Sequence, residues 1–416
     1  MKLLQVDTIE QAKQKLHDHI PKNWRKTTRV PLLEALGYYL AEDLYASFSV
    51  PDFRRSTVDG YAIYANDSWG ASISMPVMLE PIGEVSMGTI SNLTVSSGSC
   101  VYVPTGGMVP DGATAMVMIE YTELLDDNTL LVYSSVAEGS HIVNVAEDIS
   151  QDELVVQAGN KLTTRHLAVI ASLGMDQVLV YRELTVSILS TGDEVIPPGS
   201  IKKVGQVYDI NTYGIAGYVR EENYRIHHML LIPDEEDQLE LQIRDAMKHS
   251  DLVLISGGSS QGIKDATERI IDRVAKPGVL THGLAAKPGK PTIMGYDSNS
   301  STLLIGLPGH PVAAMMIFRV VILSFLQEQI QRLHPTTAIP DQVLLDARLT
   351  KNTPSSPGRA TIQLVQIHYK NNEAYAEPIF GKSGVMKTLL DANGYFIMDT
   401  NSEGQSEDDR VEVHLL

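Results

Sequence analysis

Apolar residues recur along this chain with different periods, and the period changes at identifiable places. In "DTIEQAKQKLHDHI", Ile9, Ala12, Leu16 and Ile20 return near one helical face, and Thr8 with Gln11 has capping-box spacing. A helix is expected there, and a second in "PLLEALGYYLAEDL". From Pro51 to about residue 140 short alternating runs meet frequent Gly, Ser and Pro, which predicts an inserted β region. Within it "AMVMIEYTELL" and "TLLVYSSV" read as a hairpin turning at Asp126-Asp127-Asn128. A helical pattern returns in "TTRHLAVIASLG" and stops at Gly174, as a C-cap would.

From about Leu184 apolar strands alternate with helical stretches. The strands are "LTVSILS", "RIHHMLLI", "DLVLIS" and "STLLIG"; the helices include "DEEDQLELQIRDAMKH" and "DATERIIDRVA". That alternation predicts a doubly wound parallel sheet covered on both faces. After about residue 335 strand-like text resumes, from "DQVLLDARLT" to "RVEVHLL", as a small β domain. The expected layout is multi-domain α/β plus β. Residues 1–48 with 142–180 form a helical and linker domain, 49–141 an inserted β domain, 181–332 the α/β domain, and 333–416 the C-terminal β domain.

Composition narrows the partners. The 416 residues include 51 acidic and 33 basic side chains, a formal net charge of -18, with no Lys/Arg-rich run. Nucleic acid and anionic membrane both need a basic footprint and are not expected as partners. The single cysteine, Cys100, excludes an intrachain disulfide and a cysteine zinc cage. The most apolar stretch, "PVAAMMIFRVVILSFL", carries Arg319 in its middle and reads as a core helix, not a membrane span. The first residues break their apolar run with charge too early for a signal peptide, so a cytoplasmic location is expected.

Three strands of the alternating region run into unusual loops: "STGDEV", "SGGSSQGIKD" and "LPGHP". In an open parallel sheet ligands bind beyond the carboxyl ends of strands, so all three loops belong on one binding edge. Gly257, Gly258 and Ser259 offer backbone N–H groups and a following helix N-terminus to an anion. Asp265 has two readings: with Glu268 it has capping-box spacing, or it is a Mg²⁺ ligand beside a phosphate. Asp193 and Glu194 pose the same choice between a solvated turn and a second carboxylate for a shared cation. Lys287 and Lys290 flank a Pro-Gly turn stiffened by Pro288 and Pro291, a fixed cationic pair for an anion or else a solvated loop. Pro308 and Pro311 bracket a similar turn, where Pro311 is also ordinary helix-start grammar. No zinc site is expected.

Taken in order, "PDFRRSTVDGYAI", "PTGGMVPDGATAMVMIE", "AEDIS", "LSTGDEV", "GQVYDIN", "SGGSSQGIKD", "KPGKP" and "GLPGHPVAA" resemble the MoeA-type molybdopterin molybdenumtransferases, whose relatives include the E domain of gephyrin. The resemblance spans nearly the whole chain. It implies an elongated homodimer of four-domain subunits around a MogA-like α/β domain. It also implies a reaction: adenylylated molybdopterin is bound, AMP is released with the help of Mg²⁺, and molybdate is placed on the dithiolene sulfurs. The molybdopterin adenylyltransferase is an implied partner. Carried over by position, Asp265 would hold Mg²⁺ or the nearby phosphate and Glu194 would support it. Lys287, Lys290, Arg359 and Ser383 would bind the oxyanion, and Asp59 and Thr105 of the β insert would reach a site across the dimer interface. Asp148 and Asp234 match further acidic positions.

Three departures from the family pattern touch substrate binding. Arg54 replaces an aspartate, "NVAEDI" lacks the usual arginines and glycine before Glu147, and His310 stands where asparagine is usual. They leave open a tungstate-preferring variant, or a non-catalytic molybdopterin-binding or scaffolding homologue.

Overall fold

The protein is described by a computed structural model covering residues 6–125, 128–257, 261–337, 344–381 and 384–416, with only the backbone of 261–265. The chain divides into two compact units. The first comprises Met1–Glu42, Ala158–Thr163 and Gln177–Leu416; the second comprises Asp43–Gln157 and Thr164–Asp176.

The first unit is organised around a six-stranded sheet. Its order is Arg225–Ile232, Thr185–Thr191, Leu252–Gly257, Thr302–Leu307, Ile293–Asp297 and Pro277–His282. The first four strands are parallel and match the expected alternation. The last two are antiparallel additions that a purely parallel reading does not contain. They are joined through the loop holding Lys287 and Lys290, whose prolines and glycines hide the strand rhythm. Helices Glu236–His249 and Gln261–Val274 cover one face, packing Leu239, Ile243, Ile270 and Ile271 against Leu189, Val253 and Leu304. The N-terminal helix Ile9–His19, the helix Asn211–Glu221 and the long helical run from Pro311 to Leu333 cover the other.

The N-terminal helix carries the expected capping box: Thr8 Oγ1 accepts from the Gln11 N–H, and the Gln11 side chain accepts from the Thr8 N–H. Pro311–Leu333 is long and apolar enough to cross a membrane, at a mean hydropathy of 1.6, yet 67% of that window is buried inside the protein. The second expected helix does not form. "PLLE" makes a strand end and one 3-10 turn at Leu32–Ala35, and the chain then reverses. Leu33 and Leu36 are exposed, while Ala35, Tyr39, Leu40 and Leu44 are buried from an extended and turning chain, not from one helical face. Gly37, at φ +81°, makes the turn, and its N–H donates to the Leu162 carbonyl.

That carbonyl belongs to a short strip, Ala158–Thr163, by which the chain returns to the first unit between two passages through the second. The strip is sewn in: the Leu40 N–H donates to the Asn160 carbonyl, Lys161 pairs with Glu222, and Leu162 is fully buried.

Residues 344–416 close into a ring of strands. Ala360–Lys370 pairs with Glu373–Pro378 on one side and Gly394–Met398 on the other, and Leu344–Leu349 and Arg410–Leu415 complete the circuit. Leu349, Val365, Ala376, Phe396 and Val413 fill its core.

The second unit holds another six-stranded sheet, in the order Ala115–Met118, Gly60–Ile63, Ser99–Val103, Val77–Glu84, Leu130–Val132 and Thr122–Leu124. The expected hairpin pairs Thr122–Leu124 with Leu130–Val132; Asp126 and Asp127 of its turn lie outside the described residues. The helix Thr164–Ser172 ends as expected, with Gly174 at φ +72°.

Candidate functional site

The strand ends that the alternating pattern predicted to share an edge are neighbours. Thr191 lies opposite Gly257 in register, and Ser256 lies opposite Leu307, so the loops after all three parallel strands emerge together. A Cβ at Gly257, which sits at φ +149°, would come within 2.3 Å of the Thr191 carbonyl oxygen. Close passage of the neighbouring strand therefore requires this glycine. Gly258 and Ser259 lie outside the described residues, as do Ser383 and the side chain of Asp265. The helix bearing Asp265 begins at Gln261, so this residue is inside the helix and is not its cap.

One residue ties the edge together. Asn211 opens the helix Asn211–Glu221, and its Nδ2 donates to Ser256 Oγ at 2.6 Å and to the Gly309 carbonyl at 3.0 Å. It thereby links the ends of two strands. No local motif marks it, since its two partners are reached only in the folded sheet.

The structure brings Lys287, Lys290, Pro308, His310 and Arg359 to a single cavity of about 780 Å³. Backbone pairing explains how. Ala286 and Lys287 form a two-residue strand alongside Ala360 and Thr361, and the Ala360 N–H donates to the Ala285 carbonyl at 2.8 Å. The lysine loop is thus stitched to the C-terminal ring next to Arg359. Gly289 lets the loop lie on the long helix, because a Cβ there would come within 2.2 Å of Ile317 Cδ1. Val312, Met316, Leu364 and Phe380 form apolar walls. Pro311 begins the helix after the loop. Thr361, Phe380 and Thr388 line the cavity without having been singled out, since no local motif marks a residue that arrives by tertiary pairing. No carboxylate is among the described residues lining it. In a chain with 51 acidic residues this is a strong local reversal of charge.

Carboxylates gather elsewhere on the same strand ends. Asp234 follows the strand Arg225–Ile232, and its N–H donates to Asp193 Oδ1 at 3.1 Å. It lines a cavity of about 240 Å³ with Thr191, Glu236, Arg269 and Ala266, the residue after Asp265. Burial, and then the charges of Asp193 and Glu194, push the Asp234 carboxyl above the ordinary range. Its Oδ1 is buried with no hydrogen-bond partner. Asp193 and Glu194 therefore crowd Asp234, while Arg269, which lines the same cavity, donates to Glu236. Glu194 itself is exposed.

Asp59 and Thr105 lie in the second unit and meet one another: the Thr105 N–H donates to Asp59 Oδ1 at 2.7 Å. Asp148, also in that unit, is exposed. Arg54 is used structurally, its guanidinium donating to the Ala113 carbonyl at 2.8 Å and the Pro110 carbonyl at 2.9 Å.

Known proteins match along the chain. Family models describe residues 7–174 as the MoeA N-terminal region (domain I and II), 187–328 as a probable molybdopterin binding domain, and 346–416 as the MoeA C-terminal region (domain IV). A molybdopterin molybdenumtransferase of Haemophilus influenzae is 29% identical, covering 98% of this chain and 99% of its own. Molybdopterin molybdenumtransferase 2 of Mycobacterium tuberculosis is 32% identical over 297 residues, 70% of this chain and 73% of its own. A crystal structure of a molybdopterin biosynthesis MoeA protein from a Pyrococcus species superposes with a TM-score of 0.82 at 30% identity, covering 99% of both chains.

Proposed function

The chain belongs to the MoeA family of molybdopterin molybdenumtransferases, enzymes of molybdenum cofactor biosynthesis, and on that premise we propose that it takes adenylylated molybdopterin, releases AMP and places molybdate on the dithiolene sulfurs. The observation that carries this reading is the cavity holding Lys287, Lys290 and Arg359 with no carboxylate among its described lining residues. Three cations fixed on a proline-bracketed loop and a β ring suit a compact oxyanion such as molybdate. The apolar walls suit the organic part of the pterin substrate.

Among the described residues no three carboxylates are set to hold a metal ion, so a divalent cation at this carboxylate group would need Asp265 as well. A buried, unpartnered oxygen on Asp234 and a carboxyl held above its ordinary range are both relieved by a hard cation with oxygen ligands. Glu194 and Asp234 would hold Mg²⁺ there, with Asp265 supplied from the adjoining helix. When bound, the ion neutralises charge on a phosphoanhydride. Asp193 orients Asp234 through its N–H, and Asn211 keeps the neighbouring loop ends in place. Asp59, Thr105 and Asp148 would be contributed by a second copy in a homodimer. A cytoplasmic enzyme that receives its substrate from the molybdopterin adenylyltransferase completes the reading.

The test is AMP release from adenylylated molybdopterin by the purified chain. Release that depends on both molybdate and Mg²⁺ is expected, and Asp265→Asn should abolish it while leaving the thermal unfolding midpoint nearly unchanged. Tight binding of the pterin with no release would instead mark a scaffolding protein. Faster release with tungstate than with molybdate would change the metal assignment.

A further inference from the structure

We infer that a second cavity, beside the cationic one, receives the pterin ring of the substrate, and that Asp209 reads the amino edge of that ring. This rests on the reading above, in which the chain binds adenylylated molybdopterin.

The cavity has a volume of about 520 Å³, ample for a two-ring heterocycle. Tyr208, Tyr213, Met315 and Met386 line it, and Asp209 is the one carboxylate among its described lining residues. Both tyrosines are exposed, and aromatic and thioether side chains pack well on a flat ring. The backbone builds the lining. Gly214 lies in the helix Asn211–Glu221 where a Cβ would come within 2.8 Å of Met315 Sδ, so the missing side chain lets Met315 lie against that helix. The loop before the helix is closed on itself: Val195–Ile196 pairs with Val207–Tyr208, and the Tyr208 hydroxyl donates to the Ser200 carbonyl at 3.0 Å. Asp209 is only 8% exposed, and its Oδ1 accepts from the Thr212 N–H at 3.1 Å. A carboxylate has further acceptor positions beyond that one bond.

The two cavities are built from the same segments. Asn211, next to Asp209 and Ile210 of the second cavity, holds the Gly309 carbonyl of the first. Met315 lines one and Met316 the other; Met386 lines one and Thr388 the other. The loop is also tied to the carboxylate group, since the Val207 N–H donates to the Glu194 carbonyl at 2.8 Å. The pterin ring therefore occupies the second cavity while the dithiolene end of the same molecule faces Lys287, Lys290 and Arg359.

The chemistry of the edge selects the pterin over adenine, the other heterocycle of the substrate. A pterin presents its amino group next to a ring N–H, two donors side by side that one carboxylate accepts together. In adenine the amino group is flanked by ring nitrogens that accept, and a carboxylate repels them. Tyrosine and methionine stack on either ring, so the discrimination falls to Asp209.

The experiment follows the fluorescence anisotropy of a trace of pterin titrated with the full-length chain. It is repeated with lumazine, in which an oxo group replaces the amino group, and AMP binding is measured by calorimetry. The wild-type chain should bind pterin several-fold more tightly than lumazine. Asp209→Asn keeps an acceptor for the Thr212 N–H and turns the other arm into a donor, so it should abolish or reverse that preference. Tyr213→Ala, at an exposed position, should leave the unfolding midpoint nearly unchanged and weaken pterin binding about five-fold or more. The same preference in wild type and Asp209→Asn, or full pterin affinity in Tyr213→Ala, would overturn the inference; Tyr213→Ala decides alone if Asp209→Asn does not fold. Weakened AMP binding in Tyr213→Ala with pterin binding intact would give the cavity to adenine and overturn it equally. AMP release from adenylylated molybdopterin separates the two claims. Where release persists, any of these results removes only the place of the ring. A wild-type chain that neither binds pterin nor releases AMP loses the parent reading, and this inference with it.

Discussion

Ala146 stands at φ +61°, in the left-handed region that glycine enters freely and alanine does not. It occupies the "NVAEDI" segment, where the family pattern has a glycine. The conformation is held by the Ala146 N–H donating to the Pro51 carbonyl and by Glu147 Oε2 accepting from the Asn144 N–H. Ala146→Gly should therefore raise stability by about 0.5–1 kcal/mol, the strain relieved exceeding the extra freedom of the unfolded glycine. A lowered urea midpoint would refute this. The residue scale is also where the sequence was most and least legible. Lys287 and Lys290 could be read as a candidate anion pair because prolines bracket their turn, whereas Arg359 is marked only by the family resemblance. The asparagine of "YDIN" could not be picked out, because its value lies in reaching Ser256 and Gly309, which only the folded sheet brings within hydrogen-bonding distance. Arg54 likewise read as an altered binding residue until its two carbonyl partners were seen.

Among the elements, the N-terminal helix and the long helical run Pro311–Leu333 are joined by one carboxylate. Glu328 accepts from Lys13 Nζ at 2.7 Å and Ser324 Oγ at 3.1 Å, and His17 Nε2 lies 3.3 Å away. Burial alone would raise its carboxyl; the hydrogen bonds from His17 and Lys13 and the charge of Lys13 prevail and pull it down to about 2. A carboxyl held below its ordinary value stabilises the fold above that ordinary value, and the contribution fades as pH falls from about 4.5 towards 2. Glu328→Gln should cost about 2 kcal/mol at neutral pH, after allowance for partial exposure, and progressively less in acid. Urea midpoints of the two chains that stay equally far apart at about pH 3 would contradict this linkage. Periodicity located the parallel strands and their helices because each has a long, regular apolar run. It failed for "PLLEALGYYLAEDL", where Gly37 turns the chain and Ala35, Tyr39, Leu40 and Leu44 are buried without forming a helix. It also missed Pro277–His282 and Ile293–Asp297, whose antiparallel pairing depends on the sheet already being present.

At the level of the whole molecule, the chain crosses between its two units at Glu42/Asp43, Gln157/Ala158, Thr163/Thr164 and Asp176/Gln177. The strip between the middle crossings contributes buried Leu162, backbone hydrogen bonds to Gly37, Tyr38 and Leu40, and the Lys161–Glu222 pair. A chain in which a short linker replaces residues 43–176 should unfold at a lower urea concentration than one that loses the second unit but keeps residues 158–163 in place. Equal midpoints would show the strip to be dispensable. The second unit is therefore not a cassette that can be cut out at two points: its removal takes with it a piece of the other body's fabric. Any ancestor lacking it would have needed a different way to finish that wall, and a designer grafting it elsewhere must carry both threads.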